Sequence, residues 1–396
     1  MNRPGAQLRA GVEDLMALGQ FQRVIDICKQ TLAAAREEQD GTTEAMSLVG
    51  LAQAHRALGK YKEALILTDG AIEYGYRFGV LEAVCEGLLE RAWIKHGVQL
   101  QPYEAREDYR EALTVANEIG YQSGVGAALN GLAAVELNLQ NLRNVHNYAR
   151  EALDTASEID DVILQVRALL TLGRHFATAN HIDLALRSLT DALARASDKQ
   201  YAALQGQVLE AVGRLYLTQK QPTKALNYLG RAHEIGRKSG AVDLEVACLL
   251  GLGETYMQQE DYAEARKCFD AVVQISDETD NAMYEAAAAM QIALLHLYMR
   301  EPAIAIDYQR RAAQISHNAM NPFMESRALQ HLALTQRAVG EHTAAIAALN
   351  EALDIERSLD NDKAVREILA SLVWTHILNA FNKLLRLLNL SRDEDE

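Results

Sequence analysis

The stretch LVGLAQAHRALGKYKEAL, residues 48–65, decides how the whole chain is read. A turn at Gly59 leads into Tyr61, with Ala64 three positions later, Ala71 ten positions later and Ala52 nine positions earlier. Small residues at those places let two antiparallel helices joined by a short turn approach closely, while larger apolar neighbours interlock with whatever stacks on the pair. The same arrangement returns in LEAVGRLYLTQKQPTKALNYLGRA (209–232) and LLGLGETYMQQEDYAEARKCF (249–269).

Carried outward, the marker position of Tyr61 recurs as Phe21, Tyr103, Leu142, Ile182, Pro222, Tyr262, Pro302 and His342. The interval is forty residues except around Tyr103, where it is 42 and then 39. Before the markers lie Ala52, Ala133, Gly173, Gly213, Gly253, Ala293 and Ala333; after them lie Ala64, Ala105, Ala185, Ala225, Ala265 and Ala305. A period of this length means stacked units, each leaving an apolar face that only the next can cover. The expected fold is therefore all-α, with about nine helix-turn-helix repeats over residues 1–360, a C-terminal amphipathic capping helix over 361–390 and an acidic tail over 391–396. Gly11 and the scarcity of large apolar residues before Leu18 predict a frayed first helix.

These repeats resemble the tetratricopeptide repeat (TPR) family, in the forty-residue variety of Partner-of-Inscuteable-type scaffolds, kinesin light chain and bacterial TPR regulators. The likeness spans roughly residues 6–360, with departures at His55 and His296, which stand where an aromatic is usual, and at Arg91, which interrupts an apolar run. The resemblance implies a right-handed superhelical TPR solenoid whose concave groove is lined by the first helix of each pair and grips partner peptides. Its groove register falls on Gln53, Arg56, Asn130, Arg167, Arg174, Gln207, Glu210, Arg214, Arg327, Gln330 and Arg337. Arginine and amide groups at regular spacing suit an extended peptide, since they bond its backbone and pair with its carboxylates. The competing reading is that Arg174 and Arg214 neutralise Glu210 between repeats and bind nothing. The Lys and Asn set by which related domains clamp chaperone tails is missing from any three adjacent units.

A net charge of −15 opposes nucleic-acid phosphates and anionic lipid. Cys28, Cys85, Cys248 and Cys268 form no CxxC pair and read as small core residues of a reducing compartment. No signal-peptide pattern and no run of roughly 18 apolar residues is apparent, so the expected location is cytoplasmic. The histidines lack metal-ligand spacing, and no phosphate loop or nucleophile elbow occurs, which predicts no enzyme activity, no catalytic residue, no cofactor and no metal. The expected function is a protein-protein interaction scaffold or adaptor, with a regulatory sensor or a self-assembling subunit as alternatives. Its partner is a protein or peptide carrying acidic residues. In the tail, Leu369, Leu372, Val373, Ile377, Phe381, Leu384, Leu385 and Leu388 make a broad apolar stripe. That stripe either caps the last repeat or docks on a partner, a second copy of the chain or a membrane. Having only Lys383 and Arg386 as basic companions, before a DEDE terminus, speaks against the membrane.

Overall fold

The computed structural model describes residues 4–387, and among them the chain forms nineteen α-helices and no strand. The helices follow as α1 (Pro4–Ala17) and α2 (Phe21–Glu38), α3 (Gly41–Ala57) and α4 (Tyr61–Phe78), α5 (Leu81–Trp93) and α6 (Pro102–Glu118). Next come α7 (Gln122–Asn138) and α8 (Leu142–Glu158), α9 (Val162–Thr178) and α10 (Ile182–Asp198), α11 (Ala202–Thr218) and α12 (Pro222–Ser239). The last pairs are α13 (Val242–Gln258) and α14 (Tyr262–Thr279), α15 (Ala282–Tyr298) and α16 (Pro302–Asn318), α17 (Pro322–Ala338) and α18 (His342–Ser358), followed by α19 (Asp362–Leu387). Two compact units result, residues 1–268 and 269–396, with the boundary inside α14. Leu388, the Arg386 side chain and the acidic terminus lie outside the described residues.

Every second helix of a pair begins on its sequence marker except α6, which begins at Pro102, one residue before Tyr103. The irregular spacing is thus a single inserted residue, and the chain absorbs it in a π-helical turn, Ile94–Val98, at the end of α5. A π turn is the helical way of accommodating one extra residue. Elsewhere the pairs close as expected. The small positions Ala52, Ala133, Gly173, Gly213 and Ala293 are buried. A Cβ on Gly213 would come within 2.6 Å of Leu229 Cγ and 3.1 Å of its backbone nitrogen, which is why glycine stands there. The links between helices turn on one left-handed residue, as at Asn180 (φ 60°), after which the His181 N–H reaches back to the Phe176 carbonyl at 2.8 Å.

In unit 1–268 the odd-numbered helices from α3 to α13 pack side by side and form the inner layer. Their rotation brings the start of the unit against its end. Val12, Phe21 and Leu58 share an apolar cluster with Ala203 and Ala241, and Ala17 packs with Ile163 and Val208. The approach is close at Gly19 (φ 76°), where a Cβ would lie 3.0 Å from Ser239 Cβ. Helix α1 is therefore docked rather than frayed. Its few apolar groups suffice because its polar ones bond the N-terminal ends of the inner helices: Arg9 donates to the Tyr121 hydroxyl, and the Tyr201 hydroxyl donates to Asp14 at 2.6 Å.

In unit 269–396, α19 packs on α18, and Ile368 and Leu372 join a core with Leu329, Leu332, Leu349 and Leu353. Arg337 Nη1 donates to Ser371 Oγ at 3.1 Å and ties α17 to α19. One expectation needs correction: the segment Asp362–Leu385 is long and apolar enough, by length and composition, to cross a membrane. Interspersed Ser371, Thr375 and Asn379 break any unbroken apolar run while leaving the average high.

Candidate functional site

The groove residues named from the sequence divide into groups once folded. Arg56 is taken up internally: its guanidinium bonds Glu90, lies 3.5 Å from Asp243 and stacks on Trp93 with the ring centroid 3.8 Å away. Tyr61 Oη donates to the same Asp243 at 2.8 Å. Burial works to lower the Arg56 pKa, but Glu90 and Asp243 overcome it and hold the pKa above its ordinary value. This cluster joins residues more than 180 positions apart and closes the first part of the inner wall. Gln53, on the same helix, and Gln207, on α11, are half-buried. Arg167 is exposed within electrostatic reach of Glu13 and Glu90, and Asn130 keeps a buried Oδ1 with no hydrogen-bond partner among the described residues.

The N-terminal rim of the wall carries the α1 contacts. Glu13 sits among Glu86, Asp161, Arg167 and its own helix neighbour Arg9, at 3.1 Å. Burial, then the Glu86 carboxylate, push Glu13 up to about 7 against the pull of Arg9.

The C-terminal halves of the same helices are open. A cavity of about 250 Å³ is lined by His96, Ala134, Leu137, Asn138, Thr171, Arg174, Glu210 and Arg214. Arg174 Nη2 donates to Glu210 at 2.9 Å, Arg214 Nε donates to the other oxygen of the same carboxylate, and Arg214 Nη2 donates to the Ala247 carbonyl at 3.0 Å. Burial works to raise the Glu210 pKa, but Arg214 and Arg174 overcome it and keep the carboxyl below its ordinary range. The fully ionised Glu210 thus answers only one of two guanidinium charges. Glu254, 3.7 Å from Arg214, is the next carboxylate, and burial followed by nearby Glu210 raises its pKa against the pull of Arg214. The Arg174 side chain stays 47 % exposed. Guanidinium groups also suit this end of the helices because the backbone dipoles are negative there.

His96 was not among the residues chosen from the sequence. It stands on the π turn, its Nε2 2.8 Å from Asn138 Nδ2, and burial, then Arg174, lower its pKa to about 4, so it is neutral at pH 7. The signal for it was the 42 and 39 spacing, since π turns place a side chain off the regular register. In unit 269–396, Arg327 lies over the Phe323 ring, Gln330 donates to Ser326 and Arg337 serves the α17–α19 contact. Arg327 and Arg337 belong to this second unit, whereas Arg174 and Arg214 converge in the first.

Among the described residues no group of three or more His, Cys, Asp or Glu side chains is placed to hold a metal ion. The four cysteines are free, and burial pushes the Cys28 and Cys268 thiols up to about 11, far from the depressed values of reactive thiols.

Helix pairs, an inner layer of first helices and a charged cavity in that layer define an all-α repeat solenoid. Sequence models of the tetratricopeptide repeat match residues 245–318 and 326–359. Those two stretches thus resemble tetratricopeptide repeats in sequence, and the fold of the described residues is that of a TPR solenoid. No curated protein matches it in sequence. Among solved structures, a Rap protein complexed with competence and sporulation factor is similar at a TM-score of 0.63 and 15% identity, covering 88% of this chain and 98% of the other. The apo quorum sensor NprR from B. thuringiensis gives 0.53 and 13%, covering 86% and 97%. A STAND protein with a tetratricopeptide repeat sensor from Pyrococcus horikoshii gives 0.55 and 14%, with 86% of this chain aligned to 54% of that one. At such identities the likeness is one of fold.

Proposed function

We propose that this protein is a non-catalytic adaptor that captures a peptide segment bearing a carboxylate on the inner wall of residues 1–268. The observation that carries this reading is the exposed guanidinium of Arg174, which shares Glu210 with Arg214 at the edge of an open cavity. A partner carboxylate would take the exposed edge of Arg174, and the uncharged His96, Asn138 and Thr171 would bond its backbone. Ala134 and Leu137 leave an apolar shelf for a neighbouring side chain. That one fold neighbour is held in complex with competence and sporulation factor, and another is a quorum sensor, supports a ligand-binding role on this architecture. The free cysteines, of which Cys28, Cys85 and Cys248 are buried, fit a reducing, cytoplasmic setting.

The test is capture from a display library of extended peptides by the wild-type chain and by Arg174→Glu. Enrichment of acidic sequences by the wild type, and its loss in a variant of unchanged helicity, is the expected result. Equal enrichment by both, or selection of basic sequences, would overturn the assignment.

A second reading, a sensor, is favoured by the long-range closure through Arg56, Tyr61 and Asp243. In that case a selected peptide would change amide-exchange protection in α1 and α3, neither of which lines the cavity. In a plain adaptor it would change protection only around α7, α9 and α11.

A further inference from the structure

Helix α19 is apolar on two opposite faces. Ile368, Leu372 and Thr375 are buried toward the core, whereas Leu369, Val373, Trp374, Ile377, Phe381 and Leu384 are between 41% and 61% exposed. At 100° per residue the centre of the exposed set lies about 165° around the helix from the buried set, so it is no fringe of the capping contact. A helix that is apolar all round is stable when it is covered all round.

We propose that this outer face packs against the same face of a second copy of the chain, about a two-fold axis near Ile377. Three observations select that occupant. The row Leu369, Val373, Ile377, Phe381 follows four-residue spacing, and such ridges interdigitate best with a ridge of the same spacing, at about −50°. A two-fold axis supplies that ridge by symmetry. The exposed area of the six side chains is roughly 700 Å² per copy, above the few hundred Å² of an ordinary monomer patch and near the 800 Å² or so per partner of stable interfaces. Finally, no Asp, Glu, Lys or Arg occurs from Ile368 to Asn382, in a chain of net charge −15. Two such chains meet most favourably where the contact itself carries no charge, and the same net charge opposes the other apolar destination, a lipid surface.

The experiment is sedimentation velocity on the full chain, on the double variant Val373→Asp with Phe381→Asp, and on Ile377→Cys. The wild type should sediment as a concentration-dependent dimer and the double variant as a monomer of unchanged helicity. Ile377→Cys, combined with Cys268→Ser because Cys268 is only half-buried, should form a disulfide-linked dimer on mild oxidation, the other cysteines, Cys28, Cys85 and Cys248, being buried. That crosslink decides the matter even where the double variant fails to fold. A monomeric wild type, a dimer that survives the double substitution, or an Ile377→Cys dimer that does not crosslink would overturn the proposal. So would flotation of a monomeric wild type with uncharged phosphatidylcholine vesicles, which would make the face a membrane contact.

Discussion

Helix α1 is fastened by polar groups: Arg9 to Tyr121, Asp14 to Tyr201, and Glu13 among Glu86, Asp161 and Arg167, with Val12 and Ala17 deeply buried on its apolar side. Helix α19 is fastened by burial of Ile368 and Leu372, and it leaves a second apolar row uncovered. The difference is one of completeness. A short helix whose polar side chains find partners on its own chain needs no further surface, whereas a long helix that is apolar on both sides buries only half of what its sequence offers.

Four substitutions would sharpen that contrast or break it. The largest effect is expected on the inner face of α19, where Leu372→Ala should cost about 2–4 kcal/mol of local stability. Its signature is loss of amide-exchange protection in α18 and α19, and unchanged protection would mean that the cap is not held by burial. Next comes the polar closure of the other unit. Asp243→Ala removes the acceptor of Tyr61 and one of two carboxylates at Arg56. A loss of about 2–3 kcal/mol is expected, since a buried cation loses part of its compensation. It should appear as raised exchange in α3 and α13 together. If only one of the two helices responds, the closure is not cooperative.

The third effect depends on pH. Glu13 titrates near 7 in the folded chain against an ordinary 4.5. The folded state therefore binds more protons than the unfolded one between those values, and α1 docking weakens as pH rises from about 4.5 to about 7, then levels. Glu13→Gln should flatten this slope and stabilise α1 by about 1 kcal/mol at pH 8, allowing for a side chain 30% exposed. Exchange in α1 that keeps the wild-type pH slope in the variant would assign the slope to another group. The smallest effect belongs to Val373→Ala on the outer face of α19, which should change the stability of the isolated chain by less than about 0.5 kcal/mol. A larger loss in dilute monomer would show that this face is already covered within the chain.

Much of this was legible before folding. The markers from Phe21 to His342 fall on the first residue of each second helix, apart from Tyr103, because the turn and the small residues beside it are local requirements repeated in every unit. The contact of Arg174 and Arg214 with Glu210, which the competing reading of the sequence expected, forms because the three lie on adjacent inner helices. The register missed His96, because an inserted residue moves side chains off register and spacing alone does not say where the insertion is absorbed. It also left Arg56 looking equivalent to Arg174.

That last pair separates what sequence determines from what only tertiary structure decides. Helix pairing and stacking depend on contacts between neighbouring units, so a forty-residue pattern specifies them completely. Whether an inner-wall arginine is free depends on rotation accumulated over several units, which carries Asp243 to Arg56 and leaves Arg174 beside an open cavity. No local pattern contains that sum. The sequence determined the repeats, and the closing of the superhelix decided which of their charges remain available.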